Sequence, residues 1–169
     1  MATLAKLVAF SSLAAVTACG TGLAAEDRPC TAIGSREGVS LDIKAPYAAK
    51  VASASMRICW NGTCRTSTVE LMGSSTTVPQ GCTGDAPDDS CGAVASPTGD
   101  KNGFAEVTGI PKSPVQVTVD LRDASGERLL SKRLDVTPRA TFPNGPECGE
   151  GRPQTGIVVA ADAGVTERR

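Results

Sequence analysis

Cysteine is the residue type that offers most chemistry in this chain. There are seven cysteines and no histidine among 169 residues. Without imidazole, neither a Ser/His/Asp or Cys/His nucleophile system nor a histidine-bound zinc site can be assembled. The C-x-x-C pairs used by metal clusters are missing as well. We therefore predict disulfides, no cofactor and no enzymatic activity; paired carboxylates, or a serine with a lysine, are the enzymatic alternative.

The first cysteine follows a stretch that is typical of an export signal. Lys6 precedes an apolar run over residues 7–16, and small residues come next. The segment Val16-Thr17-Ala18-Cys19-Gly20 resembles a bacterial lipobox, whose cysteine receives diacylglycerol on its sulfur before the leader is removed. This predicts a lipoprotein signal peptide over residues 1–18 and a lipid on Cys19. The protein would then be extracytoplasmic and anchored to the cell membrane by this lipid.

Two other readings of the N-terminus are open. Cleavage after Ala25 would give a secreted protein, and an uncleaved segment 7–25 just reaches the length of a membrane anchor. If Cys19 carries the lipid, residues 19–29 form a short tether. At about 3.3–3.6 Å per residue, this tether would hold the domain within roughly 40 Å of the bilayer.

The six remaining cysteines are predicted to pair as three bridges in oxidising surroundings. One local pair flanks an Asn-Gly sequence that favours a tight hairpin turn, and another encloses a loop rich in Gly, Pro and Asp. Elimination leaves the first and the last of the six for the third bridge. The predicted bridges are Cys59–Cys64, Cys82–Cys91 and Cys30–Cys148.

Alternation of apolar and polar residues with a period of two recurs along the mature chain. Val39, Leu41 and Ile43 alternate with polar residues, and so do the apolar residues of 115–121. This pattern is typical of strands with one buried face, and no stretch has the pattern of an amphipathic helix. The predicted strands cover residues 39–44, 52–60, 63–71, 103–108, 115–122, 127–137 and 155–162.

About seven short strands separated by polar turns predict one all-β domain over residues 30–163, followed by a tail over 164–169. The best match is a two-sheet β-sandwich of immunoglobulin-like topology, stapled by disulfides. Hairpin register places Arg65 opposite Ile58 on the core face, so either Arg65 reaches the rim of the sandwich or the register differs. Trp60 is expected to be a core residue rather than an exposed recognition residue.

Charge and aromatic content bear on the class of partner. The chain has 17 basic and 18 acidic residues, and aromatic residues make up 3% of it. Neither a field that attracts a polyanion nor a stacking surface for bases is available. We therefore predict that nucleic acid is not a partner.

An acidic loop gives the chain its one hint of metal binding. Carboxylate and amide oxygens at alternate positions are ligands that calcium takes, but the full twelve-residue calcium loop with its final Glu is missing. Acidic residues are also ordinary in turns, which is the interpretation we favour. The candidate ligands are Asp85, Asp88, Asp89, Asp100 and Asn102.

Several segments together resemble a group of uncharacterised small lipoproteins of actinobacteria. These segments are CWNGTC, VPQGC, DDSCGA, PTGDKNGFAEV and PNGPECG, with the lipobox, and they span nearly the whole mature chain. The resemblance implies export, anchoring and paired cysteines, and no activity. We therefore expect a non-catalytic, lipid-anchored cell-envelope protein that is a structural or interaction module with an envelope protein as partner. The alternative is a lipoprotein that binds calcium or a small solute.

Overall fold

The structure is a computed structural model and describes residues 29–168. The predicted signal peptide, the lipidation site Cys19 and the tether up to residue 28 lie outside the described residues. Within the described part, no helix is both long and apolar enough to cross a membrane.

Nine strands and two short 3-10 helices make up the described chain, which has no α-helix. The strands are β1 (Gly38–Ile43), β2 (Ser53–Trp60), β3 (Thr63–Val69), β4 (Met72–Cys82), β5 (Cys91–Glu106), β6 (Val115–Arg122), β7 (Arg128–Val136), β8 (Gln154–Val159) and β9 (Val165–Glu167). The 3-10 helices are Tyr47–Lys50 and Pro146–Cys148.

The strands form two sheets, in the orders β4-β5-β1-β8-β9 and β3-β2-β6-β7. Strands β1 to β7 occupy the positions of strands B, C, C′, D, E, F and G of an immunoglobulin-like sandwich. The place beside β1 that the first strand of that fold would take is filled by β8, which pairs with β1 in parallel. The predicted fold, a disulfide-stapled β-sandwich, is therefore confirmed.

The core lies between the two sheets and consists of the apolar sets that alternation predicted. Val39, Leu41 and Ile43 of β1 are fully buried, as are Met56 and Ile58 of β2. The apolar residues of β6 face them, and β8 adds two more. Since a strand turns alternate side chains to opposite faces, each sheet buries one face and leaves the other in water.

The hairpin of β2 and β3 has the predicted register. Arg65 lies opposite Ile58, and it is exposed although it is on the core side of the sheet. This is possible because β3 is the edge strand, and of its residues only Val69 is buried. Trp60 is half-buried and packs against the core cluster.

The domain has two strands more than predicted, and its C-terminal boundary at residue 163 is wrong. Residues 164–168, predicted to be a tail, include strand β9, which pairs with β8. The Glu167 carboxylate accepts hydrogen bonds from the Thr137 amide and the Thr155 hydroxyl, both at 2.8 Å. Arg168 forms an ion pair with Asp42 at 2.8 Å. A three-residue strand is too short to show alternation, so the sequence pattern does not predict it. The polar contacts of Glu167 and Arg168 hold it in place.

The other missed strand is β4, together with the first twelve residues of β5. The predicted strand 103–108 covers only the end of β5 that pairs with β1. The earlier part of β5 and most of β4 form a hairpin that is exposed on both faces. Without a buried face, its sequence has no reason to alternate.

All three predicted disulfides are present. The Cα atoms are 4.1 Å apart in Cys59–Cys64, 4.0 Å in Cys82–Cys91 and 5.6 Å in Cys30–Cys148. The first two bridges join residues directly opposite each other in a hairpin, and the third joins the start of the domain to the loop before β8. Three such bridges point to an oxidising, extracytoplasmic environment.

Removal of the long-range bridge is expected to destabilise the domain most. The chain-entropy cost depends on the loop that is closed, which spans 118 residues for Cys30–Cys148 and 5 for Cys59–Cys64. We expect the variant C30S/C148S to lose about 5 kcal/mol of unfolding free energy, and C59S/C64S about 2 kcal/mol. Urea denaturation of both variants and of the wild type measures this, and the reverse ranking would contradict it.

Candidate functional site

The candidate calcium ligands do not come together. Asp85, Asp88 and Asp89 lie in the loop between β4 and β5, beyond the Cys82–Cys91 bridge. Asp100 and Asn102 lie nine and eleven residues after Cys91 on β5. At about 3.4 Å per residue, the two groups are roughly 30 Å apart. Their closeness in sequence is lost because the hairpin is extended.

Within the loop, one carboxylate holds the turn together. Asp89 accepts a hydrogen bond from the Ala86 amide at 2.6 Å and one from the Thr83 hydroxyl at 3.4 Å. The Asp89 amide in turn donates to the Ala86 carbonyl at 3.0 Å. These contacts are ordinary turn chemistry, in which an acidic side chain satisfies nearby backbone donors.

Asp100 fastens β5 to the end of β1. Its carboxylate accepts hydrogen bonds from the Ala45 amide at 2.8 Å and from the Lys44 ammonium at 2.9 Å. The Ala45 amide, and then Lys44, hold the pKa of Asp100 below its ordinary value, because both contacts favour the charged form. Asn102 donates to the Ser74 hydroxyl at 2.8 Å. Across residues 29–168, no group of three or more acidic or cysteine side chains could hold a metal ion.

The most buried charge in the described chain is one that the sequence analysis missed. The side chain of Glu37 is 7% exposed and forms an ion pair with Arg152 at 3.0 Å. Its other carboxylate oxygen accepts hydrogen bonds from the amides of Gly109 and Ile110. Glu37 therefore joins the segment before β1, the loop after β5 and the loop before β8. No alternation or motif marks it, because it lies just outside a strand.

A shallow groove lies beside the Cys30–Cys148 bridge. It measures about 480 Å³, and its walls include Ser35, Asn144 and Arg152. The polar groups of these walls are engaged with one another or with backbone. Asn144 bonds to both the amide and the carbonyl of Ile33, and the Ser35 hydroxyl accepts from the Arg152 amide. A ligand site needs polar groups that converge on open space, which these do not.

The remaining candidate is the exposed part of the β4–β5 hairpin, residues 75–97, which we call the arm. Only Asp89 and Ser96 within it are even half-buried. Outside the turn loop the arm carries no charge, because no charged residue lies between Glu70 and Asp85 or between Asp89 and Asp100. Charged residues make up 21% of the whole chain. Exposed surface that lacks charge is typical of the centre of an interface.

Apolar side chains of the arm are directly exposed. Val78 and Val94 lie opposite each other on the two strands and are 38% and 49% exposed. An isolated two-stranded hairpin is marginally stable in water, so the Cys82–Cys91 bridge is what holds the strands in register. The sequence signal that could have predicted this hairpin was the pair of cysteines, because the residues that flank them are rich in Val, Thr, Ala and Ser.

The arm and the point where the described chain enters β1 lie at opposite ends of the sandwich. The chain enters at Gly38, which is opposite Glu106 on β5, whereas the other end of β1, Ile43, is opposite Lys101. Residues 91–100 of β5 continue beyond that second end. An attachment through the N-terminus would therefore leave the arm free.

The chain matches no protein-family model, and no curated protein or solved structure matches it.

The Asp100 contacts give a pH dependence whose direction follows from linkage. A carboxylate whose pKa is lower in the folded state stabilises the fold above its ordinary pKa of 3.8. That contribution disappears as the pH falls through the lower, folded value. We therefore expect D100N to be less stable than the wild type at neutral pH, and the difference to shrink progressively below the ordinary value. Urea denaturation over a pH series measures this, with D85N in the exposed loop as the control.

Calcium is expected to leave the stability unchanged. A site that binds calcium at the weakest affinity of extracellular modules, near 1 mM, would raise the melting temperature at about 10 mM calcium. The carboxylates of Asp89 and Asp100 already have hydrogen-bond partners, and the candidates are far apart. Thermal unfolding with calcium and with magnesium at equal ionic strength tests this, and a rise with calcium alone would contradict it.

Proposed function

We propose that this protein is a non-catalytic, lipid-anchored module of the cell envelope that binds another protein through the arm. The observation that carries the proposal is the arm itself: two uncharged strands, exposed on both faces, at the end of the sandwich opposite the entry of the described chain into β1. Exposed strand edges are prone to pair with other strands, so natural proteins blunt or cover them.

The anchor is supported by the cysteine count. Cys30, Cys59, Cys64, Cys82, Cys91 and Cys148 are all engaged in disulfides. Of the seven cysteines, this leaves Cys19 without a partner in the described domain. A thioether to diacylglycerol at the lipobox-like segment uses that sulfur and places the protein at the outer side of the membrane. The rival is secretion after cleavage behind Ala25.

The non-catalytic role is supported by how the charged groups are used. The Glu37 carboxylate is occupied by two backbone amides and Arg152, and the Asp100 carboxylate by one amide and Lys44. A catalytic acid or base must instead face the space where a substrate binds. The groove beside the Cys30–Cys148 bridge is lined by one carboxylate, Glu150, which forms an ion pair with Lys112.

Photo-cross-linking in cells tests the proposed function. A photo-reactive residue at position 94 in the arm is expected to give covalent adducts with a protein, whereas the same residue at position 132, exposed on β7, should give far fewer. Intact mass of the membrane-extracted chain should show diacylglycerol on Cys19. Reduction should then add two hydrogens for each of the three bridges.

Two results would count against the proposal. Adducts that are as abundant from position 132 as from position 94 would show that the arm is not the binding element. A mature chain without a lipid would remove the anchor and favour a secreted protein.

A further inference from the structure

We propose that the partner of the arm is a second copy of this chain, and that strand β5 of one copy pairs antiparallel with β5 of the other. This inference rests on the proposed function and names its partner. It follows from the hydrogen-bonding direction of β5, from the place of its exposed valine and from the charges at the two ends of the arm.

The free edge of β5 has a defined set of donors and acceptors. Cys82 and Cys91 are directly opposite and only 4.0 Å apart at Cα, which is typical of a pair that exchanges no backbone hydrogen bonds. The N–H and C=O of Cys91 therefore point away from β4. Backbone groups alternate in direction along a strand, so those of Ala93, Ala95 and Pro97 point away from β4 as well. Proline suits such a position because it has no N–H to donate to β4.

No strand of the described domain covers this edge. Strand β1 pairs with residues 101–106 of β5 and ends there. The residues 91–97 of β5 contain no extra residue, since the irregularities lie at the bulge that Gln80 forms on β4 and after Pro97. Each edge has one proline without an N–H, but only the edge of β4 is also interrupted by the bulge. Edge pairing therefore favours β5.

A two-fold axis through Val94 satisfies these groups. It places Ala93 opposite Ala95 of the second copy, and Cys91 opposite Pro97. The outward groups then form up to about six backbone hydrogen bonds. The two Val94 side chains meet at the axis as a closely spaced pair, with Val78 beside each of them. Pairing thus covers the apolar side chains that the single chain leaves exposed.

The charges agree with an antiparallel arrangement. Between the strands there is nothing to repel a second copy, because residues 90–99 carry no charge. The acidic turn of each arm, with Asp85 and Asp88 exposed, would lie beside the base of the other arm. Two exposed lysines, Lys44 and Lys50, lie near that base. Lys44 contacts the base directly through its ion pair with Asp100. Lys44, Lys50 and Lys101 outnumber Asp100 at the base, so a net positive end meets the acidic turn of the other copy.

A single cysteine at the axis tests the geometry. In the full chain exported by cells, V94C should form a disulfide-linked dimer, because directly opposed residues of this kind lie within bridging distance. V78C, also exposed but one strand farther from the axis on each side, should stay monomeric. Non-reducing intact mass distinguishes the two. Cross-linking of V78C but not V94C, or of neither, would overturn the proposal.

A charge at the same position provides the second test without any new thiol. V94K should weaken self-association of the detergent-extracted full chain by about tenfold or more, since two like charges would meet at the axis. V78K should change it much less, and near-native melting temperatures of both variants exclude misfolding. Wild-type chains that stay monomeric at about 1 mM, where even a dimer with a Kd near 1 mM would form in part, would overturn the proposal.

The outcome can be separated from that of the proposed function. If photo-cross-linking at position 94 yields an adduct with a different protein while V94C stays monomeric, the second copy is wrong and the interaction module stands. If no adduct of any kind forms through the arm, both proposals fall. An adduct whose mass is twice that of the mature chain supports both.

Discussion

The two sheets bury alternating valine, isoleucine and leucine side chains between them. The rest of the structure depends on where this packing of one sheet on the other ends. Where both sheets are present, as along β1 and β6, alternate residues are fully buried. Where β4 and β5 run past the end of β1, no strand of the described domain lies opposite them, and the chain becomes a two-stranded hairpin. The Cys82–Cys91 bridge stabilises the strand pairing of the arm, as apolar burial stabilises that of the sandwich.

Polar contacts hold the parts that apolar burial cannot reach. Glu37, with its backbone amides and Arg152, ties three loops together at the end where the chain enters. Asp100, with Ala45 and Lys44, fixes the base of the arm at the opposite end. Each carboxylate accepts hydrogen bonds from more than one protein donor, and these offset the water contacts that it loses on folding. Charge in this domain is structural at the two ends and absent from the strands of the arm.

Sequence patterns were informative wherever one face of a strand is buried. Val39, Leu41 and Ile43, the β2–β3 register around Asn61-Gly62, and all three bridges followed from alternation, turn chemistry and cysteine spacing. The arm could not be predicted in this way, because a strand with two wet faces has no alternation. Glu37 was missed since its partners are distant in sequence, and Asp85 and Asp100 were grouped as ligands because sequence distance conceals the length of an extended hairpin.

The placement of the arm and the N-terminus at opposite ends has a mechanical consequence. Tension between a membrane-held N-terminus and a bound arm would pull β1 from the Gly38 end and β5 from the Lys101 end, along the strand axes. Such a load tends to slide the strands past each other. Every backbone bond between Gly38–Ile43 and residues 101–106 would then resist at once, instead of opening singly as in a zipper. The Cys30–Cys148 bridge would carry part of the force into β8.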